Sequence, residues 1–318
     1  MGRYVVRRLL AMIPVLLIVS LLSFFLIYLS PGDPVTSLLS QGSGIVDQEA
    51  AAEMRAELGL DQPVHVQYLS WLAGVLQGDL GDSISTGKPV SAEIANRFPA
   101  TAFLALVSMA VTLAVSIPLG FLTAVKRGRA VDYVVRFVSF VGASAPGFLV
   151  AMLLVYFFAI NLHWFSSLGN LKGTNWVLPV ATLVLCESCI YIRQVRTLVL
   201  QELGEGYVTA ERVRGIKPLA TLFLSVFKAI APALLVYTGM TLGQLLGGTA
   251  IIETVFNWPG VGQYAVKAVS ARDYPVIQGY VLMMACFYVL INLLVDLAQT
   301  RLDPRVRATL KGKGGACR

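Results

Sequence analysis

Six long apolar stretches dominate this sequence and limit the folds open to it. Each has about the twenty residues that a helix needs to cross the hydrocarbon core of a bilayer. Lipid offers no partner to unpaired backbone groups, so a segment that spans it must satisfy its own hydrogen bonds. The stretches lie at about 9–29, 100–124, 137–160, 177–197, 226–250 and 279–300. The sequence therefore predicts an all-α polytopic membrane protein with six transmembrane helices.

The composition excludes an ordinary soluble domain. Only 14% of the 318 residues are charged, where about 25% is usual. Hydrophobic residues make up 56% of the chain, and its mean hydropathy is +0.72. This excess is concentrated in the six stretches, as a polytopic protein requires.

Basic residues predict the orientation of the chain. Of the 25 Lys and Arg residues, 19 fall in the segments 1–8, 125–136, 193–228 and 301–318. Because cytoplasmic loops carry the excess of Lys and Arg, these segments are predicted to be cytoplasmic, together with both termini. The same asymmetry accounts for most of the net charge of +7, so no nucleic-acid partner is expected.

The loops suggest a division of the chain into four parts. About 70 residues separate the first two spans, and they predict a small extracytoplasmic subdomain with short helices near 47–58 and 64–77. Another short helix is expected at 261–270, after the turn signal of Trp258, Pro259 and Gly260. The predicted parts are an N-terminal end with the first span, the subdomain, a five-helix core and a cytoplasmic tail, at 1–30, 31–98, 99–300 and 301–318.

Motifs for catalysis are missing from the sequence. It contains no GxxxxGK[ST], HExxH or GxSxG pattern, and its two histidines, His65 and His163, lie far apart. The chain is therefore predicted to be a non-catalytic protein that binds no cofactor of its own, and no metal ligands are assigned.

The run LCESCIYIRQVR at 185–196 places ionisable and sulfur groups inside the fourth span. Cys186 and Cys189 are three residues apart and share a helical face, whereas Glu187 points about 100° away. An ionisable residue in a span is costly and usually faces a bundle interior or a wet cavity. These three residues are candidates for a translocation path with soft ligands for a transition metal. The alternative is packing, with Glu187 hydrogen-bonded to another helix and the cysteines acting as small buried residues.

A charged segment interrupts the apolar pattern at 207–217, YVTAERVRGIK. It is helix-capable, is predicted to be cytoplasmic and suits a soluble partner. Other distinctive runs follow one another along nearly the whole chain. They include RYVVRRLLAMIPVLLIVSLLSFFLIYLSPGDPV, LGLDQPVHVQY, GDLGDSISTGKPV, RFPAT, SIPLGFLTAVKRG, WVLPVATL, GGTAIIETVFNWPGVGQYAVKAVSARDYPVIQG and INLLVDLAQTRLDPRVR.

Together these runs resemble the permease subunits of binding-protein-dependent ABC importers in the dipeptide, oligopeptide and nickel branch. The resemblance implies a type I importer permease (MetI-like) architecture in the bacterial cytoplasmic membrane. It also implies that a cytoplasmic loop at about 198–225 docks on an ATPase. The family pattern there is Glu-Ala-Ala, three residues and Gly, where this chain has Thr209, Ala210, Glu211 and Gly215. The docking residues implied are Tyr207, Ala210, Glu211, Arg212, Arg214 and Gly215.

The resemblance also implies partners. They are a homologous second permease in a heterodimer, two cytoplasmic ATPase subunits that bind ATP and Mg, an extracytoplasmic substrate-binding protein and the lipid of the membrane. Trp258 and Asp273 are candidates to face the binding protein.

The implied substrates are nickel, a metal chelate, or di- and oligopeptides, and the run at 251–279 is most similar to nickel-type members. Two alternatives stay open: a peptide rather than a metal substrate, and an ion-coupled secondary transporter that acts without an ATPase.

Overall fold

The computed structural model describes residues 2–28, 48–57 and 61–302, and within them the chain is nearly all helical. We number the helices in chain order, and two of them adjoin π-helical turns at Val155–Asn161 and Thr221–Val226. They are α1 Gly2–Tyr28, α2 Gln48–Glu57, α3 Val64–Leu76, α4 Val90–Val125, α5 Ala130–Ser144, α6 Gly147–Leu154, α7 Val177–Leu203, α8 Gly206–Val213, α9 Pro218–Ala220, α10 Phe227–Gly248, α11 Ala250–Val255, α12 Val261–Ala271 and α13 Tyr274–Leu302.

Several predicted elements are confirmed. The short helices expected near 47–58, 64–77 and 261–270 are α2, α3 and α12. Residues 29–47, 58–60 and 303–318 lie outside the described residues, and with them most of the predicted tail.

Four of the described helices are long and apolar enough to cross a membrane. They are Val90–Val125, Val177–Leu203, Pro218–Gly247 and Tyr274–Arg301. Two shorter helices, α5 and α6, reach that standard together but are bent by 102° at their junction, so they count as at most a fifth span. Helix α1 contains a shorter apolar stretch, Leu10–Phe25.

The prediction of one continuous helix over 137–160 is therefore wrong. Pro146 explains the break, because the ring of a proline disfavours helical backbone in the residue before it. Ala145 accordingly has an extended backbone, with φ −77° and ψ 130°. Helix α5 ends before this point, and α6 begins immediately after Pro146 in a new direction.

The chain divides into two compact units. The first, which we call unit A, comprises residues 1–102 and 246–289. Its core joins the beginning of α4 to α12 and to the beginning of α13. The buried residues of this core are Val90, Ile94, Val261, Tyr264, Ala268 and Val276. In the same unit, Phe24 of α1 contacts Tyr68 and Trp71 of α3.

The second unit, unit B, comprises residues 103–245 and 290–318. Its core joins α7 to the end of α4, to α8 and to the beginning of α10. The buried residues are Phe121, Ala124, Val195, Val199, Val208, Leu222, Val226, Ile230 and Leu234. Gly120 of α4 lies directly against Val195 of α7, which leaves no room for a larger residue at Gly120. Small residues of this kind allow membrane helices to approach closely.

Candidate functional site

Helix α8 contains most of the charged segment that the sequence singled out. It is short and amphipathic, and it is anchored by one apolar side chain. Val208 is buried in the core of unit B, together with Val195 and Val199 of α7 and Val226 of the following helical segment. Because α7, α8 and α10 share this core, a displacement of α8 would disturb the packing of both neighbouring helices.

A glycine terminates α8. Gly215 has a φ of +75°, in the left-handed region that glycine adopts without strain. Its N–H donates to the carbonyl of Arg212 at 3.0 Å, and the N–H of Ile216 donates to the carbonyl of Glu211 at 3.1 Å. These two bonds form a Schellman motif, which satisfies the last carbonyls of the helix. The glycine of the family pattern thus has a structural role here.

The carboxylate of Glu211 bonds within the chain. Its Oε1 accepts a hydrogen bond of 2.6 Å from the hydroxyl of Ser225. This bond also holds the pKa of Glu211 below its usual value. The acidic residue that replaces the small residue of the family pattern therefore ties α8 to the start of the next span, an intramolecular contact that the sequence did not reveal.

Tyr207 is likewise bound within the chain. Its hydroxyl donates to Oε2 of Glu202, at the end of α7, over 2.9 Å. Burial, together with this carboxylate, raises the pKa of Tyr207 above its usual value. The remaining predicted residues, Ala210, Arg212 and Arg214, are exposed. Helix α8 thus combines an anchored side with a basic, solvent-facing side.

The cysteine pair lies on α7 within unit B. Cys186, Glu187 and Cys189 are all partly buried. The sulfur of Cys189 occupies the space beside Gly142 of α5, where a side chain would collide with it. Cys189 therefore has a packing contact, which favours the packing alternative for this residue. Within residues 2–28, 48–57 and 61–302, no three His, Cys, Asp or Glu side chains are grouped as metal ligands.

Glu187 differs from the cysteines in its surroundings. It is an acidic side chain in the middle of an apolar span, and no hydrogen bond or ion pair joins it to any other residue that the structure describes. An isolated carboxyl group of this kind is costly in an apolar environment unless water or another molecule reaches it.

Asp273 and Trp258 are buried in unit A. Arg272, with a left-handed φ of 56°, ends α12 and places Asp273 immediately before α13. The carboxylate of Asp273 is 1% exposed. It accepts hydrogen bonds from the hydroxyls of Ser83 and Ser85, both at 2.6 Å, and from the N–H groups of Ile84 and Ser85, both at 3.1 Å. Through these four bonds, Asp273 holds the 83–86 loop in place.

Replacing Asp273 with alanine is expected to loosen this loop and to destabilise unit A by about 2 kcal/mol. Four donors would lose their acceptor, but the loop is only partly buried and water can replace some of the bonds. Hydrogen exchange measured by mass spectrometry should show lost protection at residues 83–86. The control is Asp79→Ala, because within the described part of the chain the Asp79 carboxylate accepts only an exposed bond, from the N–H of Gly81. Equal protection in the two variants would contradict the supporting role of Asp273.

A second buried carboxylate, Glu253 of α11, was not among the site residues predicted from the sequence. It is completely buried. Its Oε1 accepts from the hydroxyls of Thr101 and Thr249, at 2.8 and 3.0 Å, and its Oε2 accepts from the N–H of Gln263 at 2.8 Å. The one available signal was an acidic residue inside the apolar run IIETVF.

The turn after α11 wraps around this carboxylate. Gly260 and Gly262 both lie against Oε2 of Glu253, where a Cβ atom would collide. Trp258, also fully buried, donates from its indole N–H to the carbonyl of Ala100 at 3.1 Å. Glu253 therefore holds the NWPGVGQ turn in place, because its hydrogen bonds join α11 to α4 and to α12.

Family comparisons agree with this architecture. Residues 116–308 match the model described as binding-protein-dependent transport system inner membrane component. Residues 1–105 match the N-terminal model of the same membrane component. Among solved structures, an inward-facing MetNI methionine ABC transporter shares the fold, with a TM-score of 0.57 and 18% identity. That match covers 66% of this chain and 96% of the other.

Curated relatives match over almost their whole length. The glutathione transport system permease protein GsiC of Salmonella typhimurium is 36% identical, over 96% of this chain and 99% of its own. The probable peptide ABC transporter permease protein y4tP of Sinorhizobium fredii is also 36% identical, over 96% and 100%. The metal-staphylopine import system permease protein CntB of Staphylococcus aureus is 34% identical, over 96% and 99%.

These matches give no support to an ion-coupled carrier that works without an ATPase, because the family is one of ABC importers. The fold of the described residues is that of a MetI-like permease. The chain belongs to the binding-protein-dependent transport system inner membrane component family, and it is a non-catalytic, multi-pass permease subunit of the bacterial inner membrane.

Proposed function

We propose that this chain is one transmembrane half of an ATP-driven importer for small peptides or peptide-like metal chelates. The observation that carries the proposal is α8, a short helix with exposed Arg212 and Arg214 whose other side is anchored in the core of unit B. A helix of this form suits contact with a soluble partner, since its basic side is free of the core and its position is fixed by Val208 and Glu211.

The proposed topology has six spans and cytoplasmic termini, with α1 and the bent pair α5–α6 completing the six. The segment 31–98 would then be an extracytoplasmic subdomain, followed by the core at 99–300 and the tail at 301–318. The excess of basic residues in the segments predicted to be cytoplasmic supports this orientation.

The proposed partners are a homologous second permease, two ATPases and a substrate-binding protein. ATP and Mg would bind to the ATPases, and this chain would bind no cofactor. Tyr207, Ala210, Glu211, Arg212, Arg214 and Gly215 form the proposed docking segment. Because the side chains of Trp258 and Asp273 are buried, they would act on the surface that faces the binding protein by holding unit A in shape.

Movement would pass from the ATPases to the spans through shared packing. Val208 of α8 packs with Val195 and Val199 of α7, and Glu211 is bonded to Ser225 at the start of the next span. Closure of the ATPases would shift α8, and α7 and α10 would follow because a packed core resists local deformation. ATP binding works in this scheme by favouring one of two conformations of the permease pair.

The names of the relatives support the substrate class. Two of those compared are named for glutathione or peptide transport and one for import of a metal–staphylopine complex. The packing of Cys189 against Gly142 removes one reason for favouring bare nickel. A peptide is therefore our first candidate, and a peptide-like metal chelate is the second.

ATP-driven uptake by the reconstituted transporter tests this proposal and the role of Glu187. Proteoliposomes that contain the complete complex should accumulate dipeptides, glutathione or nickel–histidine, but not free nickel. The variant Glu187→Gln should reduce uptake about tenfold if the carboxyl group lines the path, because the path would lose an ionisable group at an otherwise apolar depth. Assembly, judged by gel filtration, should be unchanged.

The matched control is Glu205→Gln, which removes an exposed carboxylate just after the same helix. Uptake of free nickel with no response to peptides or chelates would contradict the substrate class. Full uptake by Glu187→Gln would return Glu187 to a structural role.

A further inference from the structure

A groove between α5 and α7 of unit B concentrates positive charge beside exposed aromatic rings. One part of the groove encloses about 600 Å³ and is lined by Arg127, Asp132, Arg136 and Arg196, among others. The adjoining part encloses about 470 Å³ and is lined by Arg136, Arg193 and Arg196 together with aromatic residues of α5. Neither part belongs to the proposed docking helix.

The groove has an excess of positive charge that the described part of the chain does not neutralise. Among the described residues that line it, Asp132 is the only acidic one, against four arginines. Both oxygens of that carboxylate are already hydrogen-bonded. They accept from Nε and Nη2 of Arg196, at 2.8 and 2.9 Å, and the N–H of Gly128 donates a third bond. Among the described residues, Arg136 and Arg193 form no ion pair.

The ion pair with Asp132 also positions Arg196. The pair is largely buried, with the two side chains 2% and 16% exposed. Two parallel bonds fix the plane of the guanidinium group, and three of its five N–H donors remain for other acceptors. A fixed guanidinium flanked by two uncommitted ones is an arrangement that suits the several oxygens of a phosphate group.

The apolar side of the groove indicates what carries that phosphate. Tyr133, Phe137 and Phe140 line it, and they are 61%, 68% and 63% exposed. They are spaced at four and three residues, so they share one face of α5. Exposed aromatic rings add nothing to the binding of a free anion, whereas they can pack against the acyl chains of a lipid.

We propose that this groove binds an anionic phospholipid, with the phosphate of its headgroup among Arg136, Arg193 and Arg196 and its acyl chains along Phe137 and Phe140. Basic pockets between transmembrane helices are suited to acidic headgroups. A bound lipid would join α5 to α7, the helix that leads directly into α8.

The test is lipid binding by the full-length chain purified with its partner subunits, measured by native mass spectrometry. Phosphatidylglycerol should bind at least tenfold more tightly than phosphatidylcholine. The double variant Arg136→Gln with Arg193→Gln should lose this preference, because each arginine is expected to contribute roughly fivefold to the affinity for the anionic lipid. Arg196 is left unchanged, because its removal would orphan the buried carboxylate of Asp132.

Three further variants keep the result interpretable. Arg136→Lys with Arg193→Lys should retain most of the preference, since the charges remain. Arg129→Gln with Lys228→Gln removes two exposed cations that do not line the groove, and this control should bind like the wild type. Phe137→Ala with Phe140→Ala should weaken lipid binding but not the response to inorganic phosphate.

Two results would overturn the proposal. One is equal binding of the two lipids by the wild type, which includes the case of a groove covered by another subunit. The other is inorganic phosphate binding as tightly as the lipid, which would make the groove a site for free anions. Neither result bears on import itself, so this test is independent of the proposed function.

Discussion

Replacing Glu253 with alanine is expected to destabilise unit A by about 4 kcal/mol, because three buried donors lose their shared acceptor. The hydroxyls of Thr101 and Thr249 and the N–H of Gln263 all point at this carboxylate. Unlike the loop around Asp273, this site is fully buried, so water cannot readily replace the lost bonds. The substitution would also leave a cavity beside Gly260 and Gly262, where the side chain now packs.

Hydrogen exchange and thermal unfolding of the purified chain measure this effect. Protection should fall over residues 253–265, while the core of unit B around Val195 and Val208 should keep its protection. The variant Glu253→Gln should be intermediate, since its amide keeps one acceptor oxygen but presents N–H groups to a donor. The control Asp61→Ala removes an exposed carboxylate of the same unit and should change little. A variant at Glu253 as stable as that control would refute the organising role of the residue.

Four of the six predicted spans are long apolar helices in the structure, and these were the most predictable part of the fold. Their signal is local, because about twenty consecutive apolar residues suffice to indicate a spanning helix. The two short helices before α4, the helix over 261–270 and helix α8 were also predictable, since periodicity and turn residues mark them. The break at Pro146 was missed because a proline in an apolar run is compatible with a kinked span as well as with two helices.

The contacts that define the sites were less predictable. Asp273 bonds to Ser83 across 190 positions of the chain, and Glu253 bonds to Thr101 across 152. Nothing in the local sequence of a carboxylate specifies which distant donors will surround it. The same limit applies to Glu211, whose partner Ser225 is only 14 residues away but lies beyond the end of α8, in the π-helical turn Thr221–Val226. Composition and motifs singled out the segment proposed for docking, but not the bond that holds it.

The double variant Arg212→Glu with Gly215→Pro is expected to reduce ATP-driven uptake at least tenfold and to release the ATPase subunits during purification. Proline would force the φ of residue 215 from +75° to about −65° and would remove the N–H that bonds to Arg212. The Schellman motif would be lost, and the exposed side of α8 would gain an acidic group in place of a basic one. The spans themselves should survive, because Val208 and its partners are untouched.

The variant Lys172→Glu with Gly173→Pro provides the matched control. It reverses an exposed cation and places proline at another glycine with a left-handed φ, of 56°, in the loop between α6 and α7. Uptake by this control should be close to that of the wild type. Gly215→Asn should also retain uptake, because asparagine tolerates the left-handed conformation that ends the helix.

Full uptake and normal ATPase retention by the double variant at Arg212 and Gly215 would mean that α8 does not couple ATP to transport. Loss of both by the control as well would attribute the effect to general misfolding instead. Only a loss confined to the α8 variant supports α8 as the contact through which the ATPases move α7 and α10.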